Sequence, residues 1–257
     1  MENSEGHNEK IMNPESVPNA QEVGDFGPSN FEKKYLSHPN PKYQHLTEEA
    51  ENLFENRKKT VDAEFLATSH SEVWLPYLFK KEDRKNQTMG MRPILEKYSF
   101  QEYYAELEDF LKEKLADQIL VNLACGEYRP VAYRFQKLGP KVVVNVDMSK
   151  AKGLRADHKK NLVVGEDILE FVSRLPDNFC SFTISGFDDH VMPEKEYHEA
   201  LMTEVCRSLK EDGILFGNKS NVLHLARSVP ELKPINISGI SEDNLAIFEK
   251  TPTLQTL

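Results

Sequence analysis

The stretch from Ile119 to Met148, ILVNLACGEYRPVAYRFQKLGPKVVVNVDM, constrains the fold more than any other part of the chain. Its first apolar run, Ile119, Leu120, Val121 and Leu123, has the length and β-branched content of a buried strand and stops where the small residues Ala124, Cys125 and Gly126 begin. Pro130 suits a first helical position, because its fixed φ and missing N–H cost nothing there. Val131, Phe135 and Leu138 then recur at helical spacing, and Gly139-Pro140 ends the segment. Lys141 to Val146 is almost wholly apolar, as a strand covered on both faces should be. The pattern predicts a β-α-β unit with parallel strands and a right-handed crossover.

Such units bind ligands beyond the carboxyl ends of their strands, where an acid about 20 residues past the first turn takes the ribose hydroxyls of a nucleotide-like ligand. Asp147 stands in that place, with Met148 beside it. A dinucleotide fold would show G-x-G-x-x-G, but the frame here is Ala124-Cys125-Gly126-Glu127-Tyr128-Arg129. Arg129 in the last position removes the close helix–strand packing that a third glycine permits.

NLACGEY followed by VNVDM resembles the first two motifs of class I S-adenosylmethionine-dependent methyltransferases, especially the bacterial branch with N-L-G-C-G and N-V-D. Asn122 stands where many members have an acid, Ala124 replaces the first glycine, Gly126 keeps the middle one and Tyr128 replaces the last. LKEDGILFG and NLAIFEK resemble that family's fifth-strand region and its antiparallel last strand, so the resemblance spans about residues 118 to 251. It implies a Rossmann-like α/β fold with a seven-stranded, mostly parallel sheet and helices on both faces.

The order of segments after Asp147 also predicts an α/β sheet. Strands are expected over 161–165, 180–187, 214–217, 232–238 (weak) and 245–250, and helices over 168–175, 194–209 and 222–228. Upstream, residues 1–30 are polar and read as a disordered tail. Residues 31–117 read as a helical cap with segments over 46–66, 73–80 and 100–115, and 118–257 as the methyltransferase-like domain. Tyr103, Leu107, Phe110, Leu111 and Leu115 recur at helical spacing. The aromatics Trp74, Tyr77, Tyr98, Tyr103 and Tyr104 either pack that cap on the sheet or line a substrate cleft.

The resemblance implies S-adenosylmethionine as cofactor and assigns contacts at four successive strand ends. Asn122 and the Ala124-Cys125-Gly126 turn would lie against the methionine part, Asp147 and Met148 at the ribose, Asp167 and Ile168 at the adenine, and Ser185 and Gly186 again near the methionine. Structural roles compete with these: Asp147 as a loop acid, Asp167 as a helix cap, Cys125 as a packing residue. His190, just past the fourth strand, is the candidate catalytic base, with orientation or structure as its other roles. Asp188, His190 and His198 lack a tight ligand spacing, so no metal site is expected.

A formal net charge of −10 without a basic stripe argues against holding a nucleic-acid backbone. Cys125, Cys180 and Cys206 show no paired spacing and read as free thiols in a reducing compartment. No run approaches the ~20 apolar residues of a membrane span. A cytoplasmic protein with no membrane partner is therefore expected. The sequence after the fourth strand lacks an Asn/Asp-Pro-Pro-Tyr signature, which favours a small-molecule acceptor. The leading expectation is an active methyltransferase. A methyltransferase-like interaction module is the alternative, and Arg129 disfavours an NAD-dependent oxidoreductase.

Overall fold

The computed structural model describes residues 28–36, 40–58, 103–125, 135–148, 161–184, 195–226, 229–237 and 245–251. They contain strands β1 (Ile119–Leu123), β2 (Val142–Val146), β3 (Asn161–Val164), β4 (Ser181–Ile184), β5 (Ile214–Asn218), β6 (Leu232–Pro234) and β7 (Leu245–Lys250). The described helices are α1 (Pro28–Tyr35), α2 (Gln44–Lys58), α3 (Tyr103–Leu115), α4 (Ile168–Ser173), α5 (Lys195–Ser208) and α6 (Lys219–Ala226). The seven strands form one sheet in the order β3-β2-β1-β4-β5-β7-β6, with β7 antiparallel to both of its neighbours and the others parallel. This is a Rossmann-like α/β sheet.

Strand composition explains why the sheet is covered on both faces. Every residue of β2, VVVNV, is buried. Val142, Val144 and Val146 join Val121 and Leu123 in one apolar cluster, while Val143 and Leu120 join a second. The first face carries α1, α2, α4, α5 and α6. The second carries α3, whose Leu107, Leu111 and Leu115 are fully buried one turn apart, together with Phe135 and Leu138. Phe135 meets Phe216 of β5 edge to face at 5.9 Å.

The N-terminal helices share the first face. Phe31, Tyr43, Leu46 and Ala50 lie in the same cluster as α4 and α5. A buried polar anchor holds them there. Tyr43 donates its hydroxyl to Glu204 Oε1 at 2.7 Å, and Arg207 donates Nε to Glu204 Oε2 at 2.6 Å. Arg207 Nη1 also reaches the Leu175 carbonyl at 2.8 Å and Asp177 Oδ1 at 2.6 Å.

Several bounds differ from the sequence reading. Helix α1 starts at Pro28, inside the span read as a polar tail, because Phe31 supplies it with a buried contact. Helix α6 starts at Lys219, directly after β5, where its own apolar periodicity is weak. Strand β6 ends at Pro234, which is tolerated because β6 is the outermost strand. The helix expected over 73–80, and the aromatics Trp74, Tyr77 and Tyr98, lie outside the described residues.

Candidate functional site at the carboxyl ends of the strands

After β1 the chain passes to Phe135 and Leu138 on the second face, whereas after β4 it passes to α5 on the first. Their last residues are neighbours, Leu123 opposite Ile184. Two adjacent strands that send their connections to opposite faces leave a crevice beyond their carboxyl ends, and this is where α/β sheets bind ligands.

Ladder bonds extend past the strands there. Cys125 N–H donates to the Val146 carbonyl at 3.3 Å, and Asp147 N–H donates to the Val164 carbonyl at 3.1 Å. The Ala124-Cys125 turn, Asp147 and the end of β3 are thereby set side by side. Ala124 has a φ of +50°, a left-handed conformation that costs a residue bearing a Cβ about 1–2 kcal/mol. The turn therefore has the conformation that a glycine would supply, although alanine fills it. Cys125 is buried, and burial followed by the Asp147 charge pushes its thiol well above the usual range. Its burial suits a packing residue better than a nucleophile. Asp147 and Met148 are half-buried at the end of β2.

Beneath this turn lies a polar ladder across three strands. Asn122 Nδ2 donates to Asn145 Oδ1 at 2.9 Å, and Asn145 Nδ2 donates to the Leu162 carbonyl at 3.1 Å. Both asparagines are fully buried. Asn122 thus spends one donor on strand β2, and what it presents to a ligand is limited to the rest of its amide. Thr183 of β4, in register with Asn122, has a buried hydroxyl with no partner among the described residues.

The third strand end carries the most developed polar arrangement. Asp167 is 1% exposed and caps α4, its Oδ1 accepting from the N–H groups of Leu169 at 2.8 Å and Glu170 at 3.0 Å. Tyr197 of α5 donates its hydroxyl to the other oxygen, Oδ2, at 2.7 Å. Burial pushes the Asp167 carboxyl up to about 6, against the three hydrogen bonds from Tyr197, Glu170 and Leu169, while Glu51 of α2 adds a further upward push. Phe171 N–H goes to the Asp167 carbonyl at 3.0 Å, and the N–H of Ile168 has no partner among the described residues. A carboxylate offers about four lone-pair sites. Three are taken, so one acceptor site on Oδ2 remains, and the following residue, Ile168, keeps one donor.

The described structure thus brings Asn122, Ala124, Cys125, Asp147, Met148, Asp167 and Ile168 to one end of the sheet. Gly126, Ser185, Gly186 and His190 lie outside the described residues, as does Asp188. Among the described residues no group of His, Cys, Asp and Glu side chains could hold a metal ion. No described helix is long and apolar enough to cross a membrane. Sequence reasoning missed Tyr197 and Asn145. Asn145 carried a signal, since ILVNL and VVVNV each interrupt an apolar strand with Asn at the same step, and parallel register pairs them. Tyr197 gave none, because it lies on an apolar helical stripe with Leu201 and Val205.

No protein-family model and no curated protein matches the chain. Solved structures do resemble it in fold. A TehB-like SAM-dependent methyltransferase from Corynebacterium glutamicum is 17% identical, with a TM-score of 0.40 over 56% of this chain and 87% of that one. A putative methyltransferase from Streptococcus mutans, in complex with SAH, is 14% identical with a TM-score of 0.43, over 58% and 97% of the two chains. An rRNA methylase from Streptococcus thermophilus is 17% identical with a TM-score of 0.40, over 64% and 99%.

Proposed function

We propose that this chain is a class I S-adenosylmethionine-dependent methyltransferase, acting in the cytoplasm on a small-molecule acceptor and needing neither nucleic acid nor membrane. The observation that carries the reading is the Asp167–Ile168 corner. Asp167 keeps one carboxylate acceptor site and the following residue one backbone donor without a partner among the described residues, and the Watson–Crick edge of adenine presents the complement, an amino donor beside a ring-nitrogen acceptor. Asp147 at the next strand end can accept from both ribose hydroxyls. The two acids follow neighbouring parallel strands, the order in which an adenosine lying across β2 and β3 would meet them. The left-handed Ala124 turn lies one strand further, where the backbone can approach the methionine part.

When bound, S-adenosylmethionine supplies a methyl group already activated by its sulfonium, so the protein chiefly positions the partners. The residues do this by binding: Asp147 and Asp167 fix the nucleoside, and the strand ends of β1 and β4 border the crevice beside it. His190 is the proposed general base for the acceptor, and Ser185 with Gly186 the proposed wall beside the methionine. The net charge of −10 supports the small-molecule acceptor over a polyanion.

Calorimetry with S-adenosylhomocysteine and NAD tests the reading. Wild type should bind S-adenosylhomocysteine and not NAD. Because hydrogen bonds to an ionised acceptor are worth about 1.5–3 kcal/mol, Asp147→Ala should lose roughly tenfold to hundredfold in affinity. Asp147→Asn should fall between the variant and wild type, with melting curves unchanged in both. No binding by wild type at millimolar ligand would sink the proposal. Equal binding by all three would remove Asp147 from the ribose.

A further inference from the structure

We propose that Tyr197 is a positioning residue for cofactor binding: its hydroxyl fixes the Asp167 carboxylate so that a single acceptor site faces the nucleoside. The inference rests on the methyltransferase reading above, because it concerns the same corner. Tyr197 is fully buried on the first turn of α5, so its ring cannot move without opening the core. Its hydroxyl meets Oδ2 at 2.7 Å, while Oδ1 is taken by two helix N–H groups. The two N–H bonds pin Oδ1, and the Tyr197 hydroxyl pins Oδ2 and takes one of its two lone-pair sites. Without the hydroxyl the carboxylate is held from one oxygen only, and Oδ2 has both lone-pair sites open. Ordering it at the moment of binding would cost affinity.

Among the described residues Tyr197 is the one donor to this carboxylate from another element. From α2 the facing group is Glu51, an acid that opposes ionisation. On α4 itself Glu170 lies near, and its side chain pairs with Arg174 at 3.6 Å, as that of Glu166 also does. Among the described residues no cation pairs with Asp167. Burial also keeps the Tyr197 hydroxyl well above its usual range, so it remains a donor throughout the pH range in which the protein can be studied.

The test compares two tyrosines that each donate to a buried carboxylate. Tyr197→Phe keeps the ring and its packing and deletes only the hydroxyl; Tyr43→Phe deletes the equivalent bond to Glu204, outside the site. Dissociation constants for S-adenosylhomocysteine would be measured from pH 5 to 8, with melting curves and circular dichroism confirming that each variant is folded. Wild-type affinity should weaken as pH falls through about 6, where Asp167 protonates. Tyr197→Phe should bind roughly tenfold more weakly at pH 7. Its low-pH loss should set in at higher pH, because the hydroxyl no longer favours the charged form. Tyr43→Phe should keep wild-type affinity and pH profile, whatever it does to stability. A folded Tyr197→Phe with wild-type affinity and pH profile would overturn the inference and leave the cofactor reading standing. Matching affinity losses in the two variants would also overturn it, by showing a general softening. If wild type fails to bind, the methyltransferase reading fails and this inference falls with it.

Discussion

Two buried carboxylates on the same face of the sheet are held in opposite ways. Glu204, at 6% exposed, receives a tyrosine hydroxyl and an arginine Nε, and the arginine continues to Asp177 and three backbone carbonyls. Asp167 receives a tyrosine hydroxyl and two backbone N–H groups but, among the described residues, no cation. The first arrangement neutralises its charge locally and joins α1 and α2 to α5. The second leaves a net negative charge in a dry corner, with one acceptor site unfilled. A buried charge without a counter-ion is a cost to the fold. The two corners share a donor type and differ in compensation, and the uncompensated one lies at the carboxyl end of the sheet, where ligands bind.

The sharpest way to break this contrast is to remove the cation from the anchor. Arg207→Ala would leave Glu204 buried with Tyr43 as its one partner among the described residues and remove the guanidinium bonds to the carbonyls of Val172, Ser173 and Leu175. Losing one member of a buried pair costs 3–5 kcal/mol. Because Arg207 is about one-third exposed, the lower end, about 3 kcal/mol, is expected. Urea unfolding should show that loss while S-adenosylhomocysteine affinity stays at the wild-type value. A loss below about 1 kcal/mol would show that the pair is a surface ion pair in effect, and the contrast with Asp167 would collapse.

Titration of Asp167 provides the next largest effect. Its folded carboxyl titrates at about 6, above the ordinary value of 3.8 that the unfolded chain has. The folded state therefore binds more protons between those two values. The stability gained from this protonation is fully present below about pH 4 and is lost as pH rises through about 6. Asp167→Asn keeps the shape without the charge and removes the dependence. Relative to that variant, wild type should gain stability as pH falls from 7 to 4.5, by an amount on the order of 2 kcal/mol. Melting curves of the two proteins across that range would measure it. Parallel curves would mean that Asp167 is compensated after all.

Much of this was legible in the residues. The strand cores, the acid at the end of β2, the break at Gly139-Pro140 and the cap preceding Ile168 all follow from local chemistry within a few residues of each other. The strand ends that carry Asp147 and Asp167 were legible because a strand end followed by an acid is a short pattern. The anchor was not, because Tyr43 and Glu204 are 161 residues apart and nothing local marks either as buried. Tyr197 was hidden for a related reason: a tyrosine on an apolar stripe looks the same whether its hydroxyl meets water or a carboxylate 30 residues away. The left-handed conformation at Ala124 was hidden too, since alanine is the residue a sequence reader expects to be helical or extended.

Ala124 carries the smallest predicted effect and extends the same contrast to the backbone. Next to the anchor, the left-handed position is Asn178, with a φ of +49°, whose N–H donates to the Arg207 carbonyl at 3.0 Å. Asparagine tolerates that conformation, but at the carboxyl end of the sheet the same conformation is imposed on an alanine. Ala124→Gly removes a Cβ penalty of about 1–2 kcal/mol and adds about 0.4–1 kcal/mol of unfolded-state entropy. The net expectation is a stabilisation of about 0.5–1 kcal/mol, or a few degrees in melting temperature. Ala124→Val, with a branched Cβ at a positive φ, should destabilise instead. Asn178→Gly should change stability by a few tenths of a kcal/mol, because asparagine is already suited to its position. Melting curves of the three variants would decide the matter. If Ala124→Gly proved neutral or harmful while Ala124→Val was tolerated, the β1 turn would be unstrained, and the carboxyl end of the sheet would differ from the anchor in charge alone.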